Sequence, residues 1–188
     1  MAIRTQRESD AMPSPFVSRM RRVPGRWIDG NGHLNVRWYL HIFDEAMEES
    51  LDKLGLGFIL IETHGLSIMA LEIGIGYKRE LLKGERVHVT TQQVAFNHKR
   101  VHWMQAMYEL ENGRLVSTAE WITAFVDMNS RRSSAIPDDL VRLLTDLQAQ
   151  HGCLDLPGTL TKSLQPSVVA LNKSIPGPDD SLQMVGQR

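Results

Sequence analysis

The chain has one cysteine, Cys153, among its 188 residues. A lone thiol can build neither an internal disulfide framework nor a cysteine-based zinc site. Net charge is also scarce: 21 basic and 22 acidic side chains leave a formal charge of -1. Without a basic excess, nucleic-acid binding driven by charge is not expected. No apolar run approaches the ~18 residues of a membrane span. Residues 1–15 lack the apolar stretch of a secretory signal, and their Arg4 and Arg7 are offset by Glu8 and Asp10, whereas transit peptides are poor in acids. The histidines outside the segment discussed below have no metal-ligand spacing, so no metal is expected. These absences point to a cytoplasmic protein without a nucleic-acid or membrane partner.

What is present fits one domain, long enough to bury a core. Residues 1–15, with Pro13 and Pro15, read as a frayed lead-in. Residues 16–150 hold nearly all the periodic apolar pattern. Residues 151–188 contain Pro157, Pro166, Pro176 and Pro178 and read as an extended or partly disordered tail. In the central zone, a strand is expected over 16–28, bent at Pro24-Gly25. A long helix should follow over 36–54, where Trp38, Ile42, Phe43, Ala46, Met47, Leu51 and Leu54 recur at helical spacing and Gly55 supplies a stop. Strand patterns follow over 66–79, 85–96, 99–111 and 114–128, the last two joined at Asn112-Gly113, a strong hairpin signal. Pro137 opens a shorter helix to residue 150. The order β-α-β-β-β-β-α, with meander connections after the long helix, argues an α+β fold with that helix lying on one antiparallel sheet.

The segment from Trp27 to Phe43 carries the chemistry. Asp29 enters a turn holding Gly30, Asn31, Gly32, His33 and Asn35, and the turn runs straight into the long helix. The first N–H groups of a helix have no intrahelical partner and lie at the positive end of its dipole, so the Val36 end suits a developing oxyanion. Asn35 can cap that helix. Asp before Gly is also a common turn pair, and on the residues alone a turn role is the weightier reading of Asp29.

This order, with Asp29, Gly32, His33 and Asn35 in the pattern Asp-x-x-Gly-His-x-Asn and Tyr39 and Phe43 on the following helix, resembles the hotdog-fold acyl-CoA thioesterases of the 4-hydroxybenzoyl-CoA thioesterase type. Residues 77–85 look like that family's second-to-third strand connection. Phe125-Val126-Asp127-Met128, then Arg131-Arg132 and Ile136-Pro137, look like the end of its last strand. The likeness covers about residues 16–150. It departs at Trp27, where many members carry a second acid, and in residues 151–188, which have no counterpart in the compact domain. The pattern around Trp27 is also similar to thioesterases of carnitine breakdown that act on betainyl-CoA.

The resemblance implies a hotdog fold, an antiparallel sheet wrapped around one long central helix, here with an extra C-terminal helix and tail. It implies an acyl-CoA thioesterase with no cofactor, coenzyme A being part of the substrate, and a homodimer or dimer of dimers with sites at subunit interfaces. It shifts the weight on Asp29 toward nucleophile or general base. The site then comprises Asp29, Gly32, His33, Asn35 and Val36. Trp38 and Tyr39 are candidates for the acyl group, and Lys99, Arg100, Arg131 and Arg132 for the phosphates of coenzyme A. Trp27, Trp38, Trp103 and Trp121 offer material for an aromatic wall, core packing being the plainer role. Two alternatives stand: a hotdog dehydratase using His33, and a non-catalytic acyl-CoA-binding domain. A carboxylate of the helix, such as Glu45 or Glu48, remains a substitute or assistant for Asp29.

Overall fold

A computed structural model describes residues 15–159; the expected lead-in before Pro15 and the tail beyond Thr159 lie outside them. The α+β hotdog arrangement is the one found. A six-stranded antiparallel sheet packs against one long helix. Its elements are β1 (Phe16–Val17), β2 (Arg21–Arg22), α1 (Val36–Lys53), α2 (Phe58–His64), β3 (Leu66–Tyr77), β4 (Arg86–Phe96), β5 (Arg100–Glu109), β6 (Leu115–Asp127) and α3 (Asp138–His151).

The first strand is not continuous. β1 and β2 each pair with β4 over two residues, Phe16 opposite Thr91 and Arg21 opposite Val87. Between them the Ser18 hydroxyl accepts the Val89 N–H at 3.0 Å and so replaces a main-chain acceptor. Pro24 then offers no N–H for a ladder, and a 3₁₀ turn, Gly25–Trp27, follows. The short α2 was not anticipated. Gly57 stands at its N-cap, where a Cβ would collide with the Asp52 carboxylate.

α1 buries Tyr39, Ile42, Phe43, Ala46, Met47, Ser50 and Leu51. They meet Val89, Val101, Trp103, Trp121 and Phe125 from the sheet and Leu140, Leu144 and Leu147 from α3 in one apolar cluster. Gln105, fully buried in the middle strand, registers helix against sheet. Its amide donates to the Phe43 carbonyl and the Thr91 hydroxyl, and its oxygen accepts the Trp121 indole N–H at 2.7 Å.

The strand order is β1-β4-β5-β6-β3. The expectation of meander connections after the long helix therefore fails between β3 and β4. β3 pairs along its whole length with β6, from Leu66 opposite Asp127 to Tyr77 opposite Ser117. Residues 78–85 must cross from one edge of the sheet to the other side. That crossover builds one wall of the site.

Candidate active site

The turn before α1 is closed by its own backbone. Ile28 and Leu34 form a β-bridge, the Asp29 N–H donates to the His33 carbonyl at 3.0 Å, and the Asn35 N–H donates to the Trp27 carbonyl at 2.9 Å. Gly32 donates to the Asp29 carbonyl with φ of 87°, a left-handed conformation that glycine adopts without a Cβ penalty. Asp29 Oδ1 accepts the Asn31 N–H at 2.8 Å, so the turn role is realised. Its second oxygen has no protein donor among the described residues.

Asn35 caps α1, its Oδ1 accepting the Arg37 N–H at 3.3 Å, and its carbonyl takes the Trp38 N–H. The Val36 N–H finds no protein acceptor among the described residues, so this helix start keeps an unsatisfied donor at its positive end. His33 lies close by, its Nδ1 3.2 Å from the Leu34 carbonyl and 3.9 Å from Asp29 Oδ1. The carbonyl contact requires a proton on Nδ1, since a carbonyl oxygen can only accept.

The crossover is held against this turn. The Leu34 N–H donates to the Leu81 carbonyl at 2.7 Å, and Lys78 and Arg79 both donate to the Val116 carbonyl. The buried Tyr39 ring meets Tyr77 edge-on at 5.1 Å, and its hydroxyl donates to the Arg79 carbonyl at 3.4 Å. Burial pushes the Tyr39 phenol above its usual pKa, which keeps it a proton donor. Together these parts line a cleft of about 520 Å³ that includes Asp29, His33, Val36, Tyr39, Tyr77, Lys78 and Arg79.

The fold brings Asp29, His33, Val36 and Tyr39 into one cleft, while Gly32 and Asn35 do not line it and act in the turn and at the helix cap. It does not bring the other candidates there. Trp38 stacks on Trp27 at 4.6 Å and does not line the cleft. Trp103 and Trp121 lie deep in the core, directly opposite each other on β5 and β6, and no tryptophan lines the cleft, so the four form no wall of it. Arg131 and Arg132 follow β6 at the Leu66 end of β3, while the cleft opens at the Tyr77 end. Eleven strand steps separate those ends, roughly 35 Å. Lys99 and Arg100 sit beside Ala124 and Phe125, also distant from the cleft along β6. Within one chain these four cations cannot reach it. The cations that do line it, Lys78 and Arg79, were passed over in the sequence because only the crossover carries them there.

The helix carboxylates are engaged elsewhere. Glu45 accepts from Arg21 at 2.7 Å, and Glu49 from Arg21 and from Arg19. Burial alone would raise the Glu49 carboxyl, but the arginine bonds outweigh it and hold it below its ordinary range. Glu48 is exposed and does not line the cleft. Among the described residues no cluster suits a metal ion, and no helix is long and apolar enough to cross a membrane.

Residues 23–144 match the family model described as the thioesterase-like superfamily. Over 131 residues the chain is 28% identical to a betainyl-CoA thioesterase of Pseudomonas aeruginosa, covering 70% of this chain and 82% of that one. It is 27% identical over 136 residues to an L-carnitine dehydrogenase/betainyl-CoA thioesterase of Rhizobium meliloti, covering 72% of this chain. It spans only 27% of that fused protein's length. Among solved structures, a Staphylococcus aureus protein determined in complex with CoA superposes with a TM-score of 0.67 at 24% identity, covering 86% of this chain and 96% of that one.

Proposed function

The chain belongs to the thioesterase-like superfamily, and from that premise we propose that it hydrolyses an acyl-CoA thioester with Asp29 as the reacting acid. The observation that carries this reading is the half-engaged carboxylate. One Asp29 oxygen is tied to the Asn31 N–H, which fixes the group, and the other is left for a reaction in the cleft. The unpaired Val36 N–H at the helix start supports the oxyanion role, because it offers a preorganised donor without a competing acceptor.

The chemistry balances simply. Asp29 takes a proton from water as the water oxygen adds to the thioester carbonyl, or adds itself to give an anhydride that water then opens. In either route the carbonyl oxygen gains negative charge near the helix start. The C–S bond then breaks, and the thiolate leaves as coenzyme A after protonation. Lys78 and Arg79 supply positive charge at the cleft for the phosphates of the leaving group.

The proposed assembly is a homodimer. Among the described residues β3 is an edge strand of twelve residues, and an edge of that length invites pairing. Antiparallel pairing of two copies of β3 about a two-fold axis sets the Leu66 end of one against the Tyr77 end of the other. The loop holding Arg131 and Arg132 in one copy then comes beside the cleft of the second. This pairing supports the phosphate role for those two residues that a single chain does not allow.

Thiol release from a panel of betainyl-, benzoyl- and straight-chain acyl-CoA tests the reading. Asp29→Asn is expected to lower kcat by at least about 10²-fold, the scale of a lost general base, while His33→Ala retains most activity. Hydration of an enoyl-CoA without thiol release, dependent on His33, would favour a dehydratase. Tight acyl-CoA binding with neither reaction would favour a binding domain.

A further inference from the structure

We infer that the stacked pair Trp27 and Trp38 is a positioning device that sets the angle between the Asp29 turn and helix α1; the inference rests on the hydrolase reading above. The turn is internally rigid. Its two legs are joined at Ile28 and Leu34, at Asp29 and His33, and at Trp27 and Asn35. These bonds hold the loop together but do not by themselves orient it, because only the Asn35 leg continues into the helix. The leg that bears the acid meets the start of α1 through one backbone bond, at Asn35, and needs a second attachment to fix its tilt.

The stack supplies it. Trp27 precedes Asp29 by two residues, and Trp38 lies in the first turn of α1. Their rings sit 4.6 Å apart at 14° to each other. His41, one helical step further, meets both rings edge-on at 5.4 Å. Arg26 lies 5.9 Å from the Trp27 ring and Arg37 5.1 Å from that of Trp38, so each indole also carries a cation. Such an aromatic pair contributes beyond its buried area, and it bears on a whole ring face where a hydrogen bond bears on one atom.

The same pair is poorly arranged for stability. Both indole N–H groups are buried with no acceptor among the described residues, and an unpaired buried donor is unfavourable. A core built for stability alone would satisfy them, as it does for Trp103, bonded to Thr123, and for Trp121, bonded to Gln105. What the unsatisfied pair provides is alignment. Asp29 lies two extended residues from the Trp27 anchor, ~6.6 Å. A tilt of ~10° at the anchor would displace the carboxylate by ~1 Å, an error large enough to cost about 10²-fold in rate.

The test compares Trp38→Leu, which removes the stack, with Trp38→Phe, which keeps a smaller aromatic face. On the preferred acyl-CoA, Trp38→Leu is expected to lower kcat at least about tenfold with KM nearly unchanged, and Trp38→Phe to recover most of it. A raised KM at full kcat, or equal loss in both variants, overturns the inference. Circular dichroism reports the stack directly through the paired bands of two coupled indoles, which both variants should lose. A wild-type protein inactive on every acyl-CoA would sink the hydrolase reading instead. Amide hydrogen exchange then decides about the stack: faster exchange at Asn35 and Gly32 in Trp38→Leu supports it, and unchanged exchange overturns it.

Discussion

Under the proposed hydrolysis, Asp29 holds two roles that the sequence presents as rivals. Its Oδ1 makes the Asx turn to Asn31, and its other oxygen is the one the proposed reaction would use. The two can be separated by choice of substitution. Asparagine keeps the Oδ1 acceptor and removes the base, so Asp29→Asn should lose activity while its unfolding midpoint stays at the wild-type value. Alanine removes both, and Asp29→Ala should in addition lose about 1 kcal/mol of stability, the usual cost of deleting such a local acceptor. Urea unfolding of the two variants beside thiol release checks the split. Equal destabilisation by both would mean that the turn does not depend on this acceptor.

At the scale of elements, α3 is fastened by a titratable group. The Gln93 N–H donates to His151 Nδ1 at 2.7 Å, where β4 shifts register between Gln93 and Ala95. That bond needs a lone pair on Nδ1, hence a ring without its second proton. Burial lowers the His151 pKa, and burial is also the leading cause for the lowered values of His88 and His102, the latter opposed by Glu120. The unfolded chain therefore takes up protons near pH 6.5 that the folded chain still refuses. Stability is present above that pH and falls as pH drops through about 6.5 toward the folded values. Unfolding by urea between about pH 7 and pH 5 should show this slope, and His151→Gln, which keeps an acceptor that does not titrate, should flatten part of it. A slope identical in the variant would exclude His151 as a contributor.

For the whole molecule, the decisive feature is β3, an edge strand among the described residues. The register with β6 skips Leu71, which is the bulged residue between Ala70 and Glu72. Proline is tolerated at a bulge yet removes an N–H from the outer edge. Leu71→Pro should therefore keep the β3–β6 ladder and convert the proposed dimer to a monomer in analytical ultracentrifugation. If the proposed pairing holds, activity should fall with it, because the cleft would lose the Arg131–Arg132 loop of the second copy. A monomeric variant with full activity would assign the phosphates to Lys78 and Arg79 alone.

Much of this architecture is legible along the chain. Asn35 as a cap and the apolar period after it locate α1 within one residue of its observed end at Lys53. Asn112-Gly113 marks the β5–β6 turn, where Gly113 has φ of 63° and the Glu109 N–H closes on the Arg114 carbonyl. The turn holding Asp29 was readable for the same reason: capping, glycine torsions and helical period are contacts between residues a few positions apart. The interruption of the first strand was not readable, because it depends on Ser18 meeting Val89, seventy-one positions away. Nor was the pairing of β3 with β6, which depends on burial of whole faces and leaves no local mark. That pairing sends residues 78–85 across the sheet, carries Lys78 and Arg79 into the cleft, and leaves Arg131 and Arg132 at the far end. The acid and its turn follow from the local chain, while the company they keep follows from which strands find each other once the core closes.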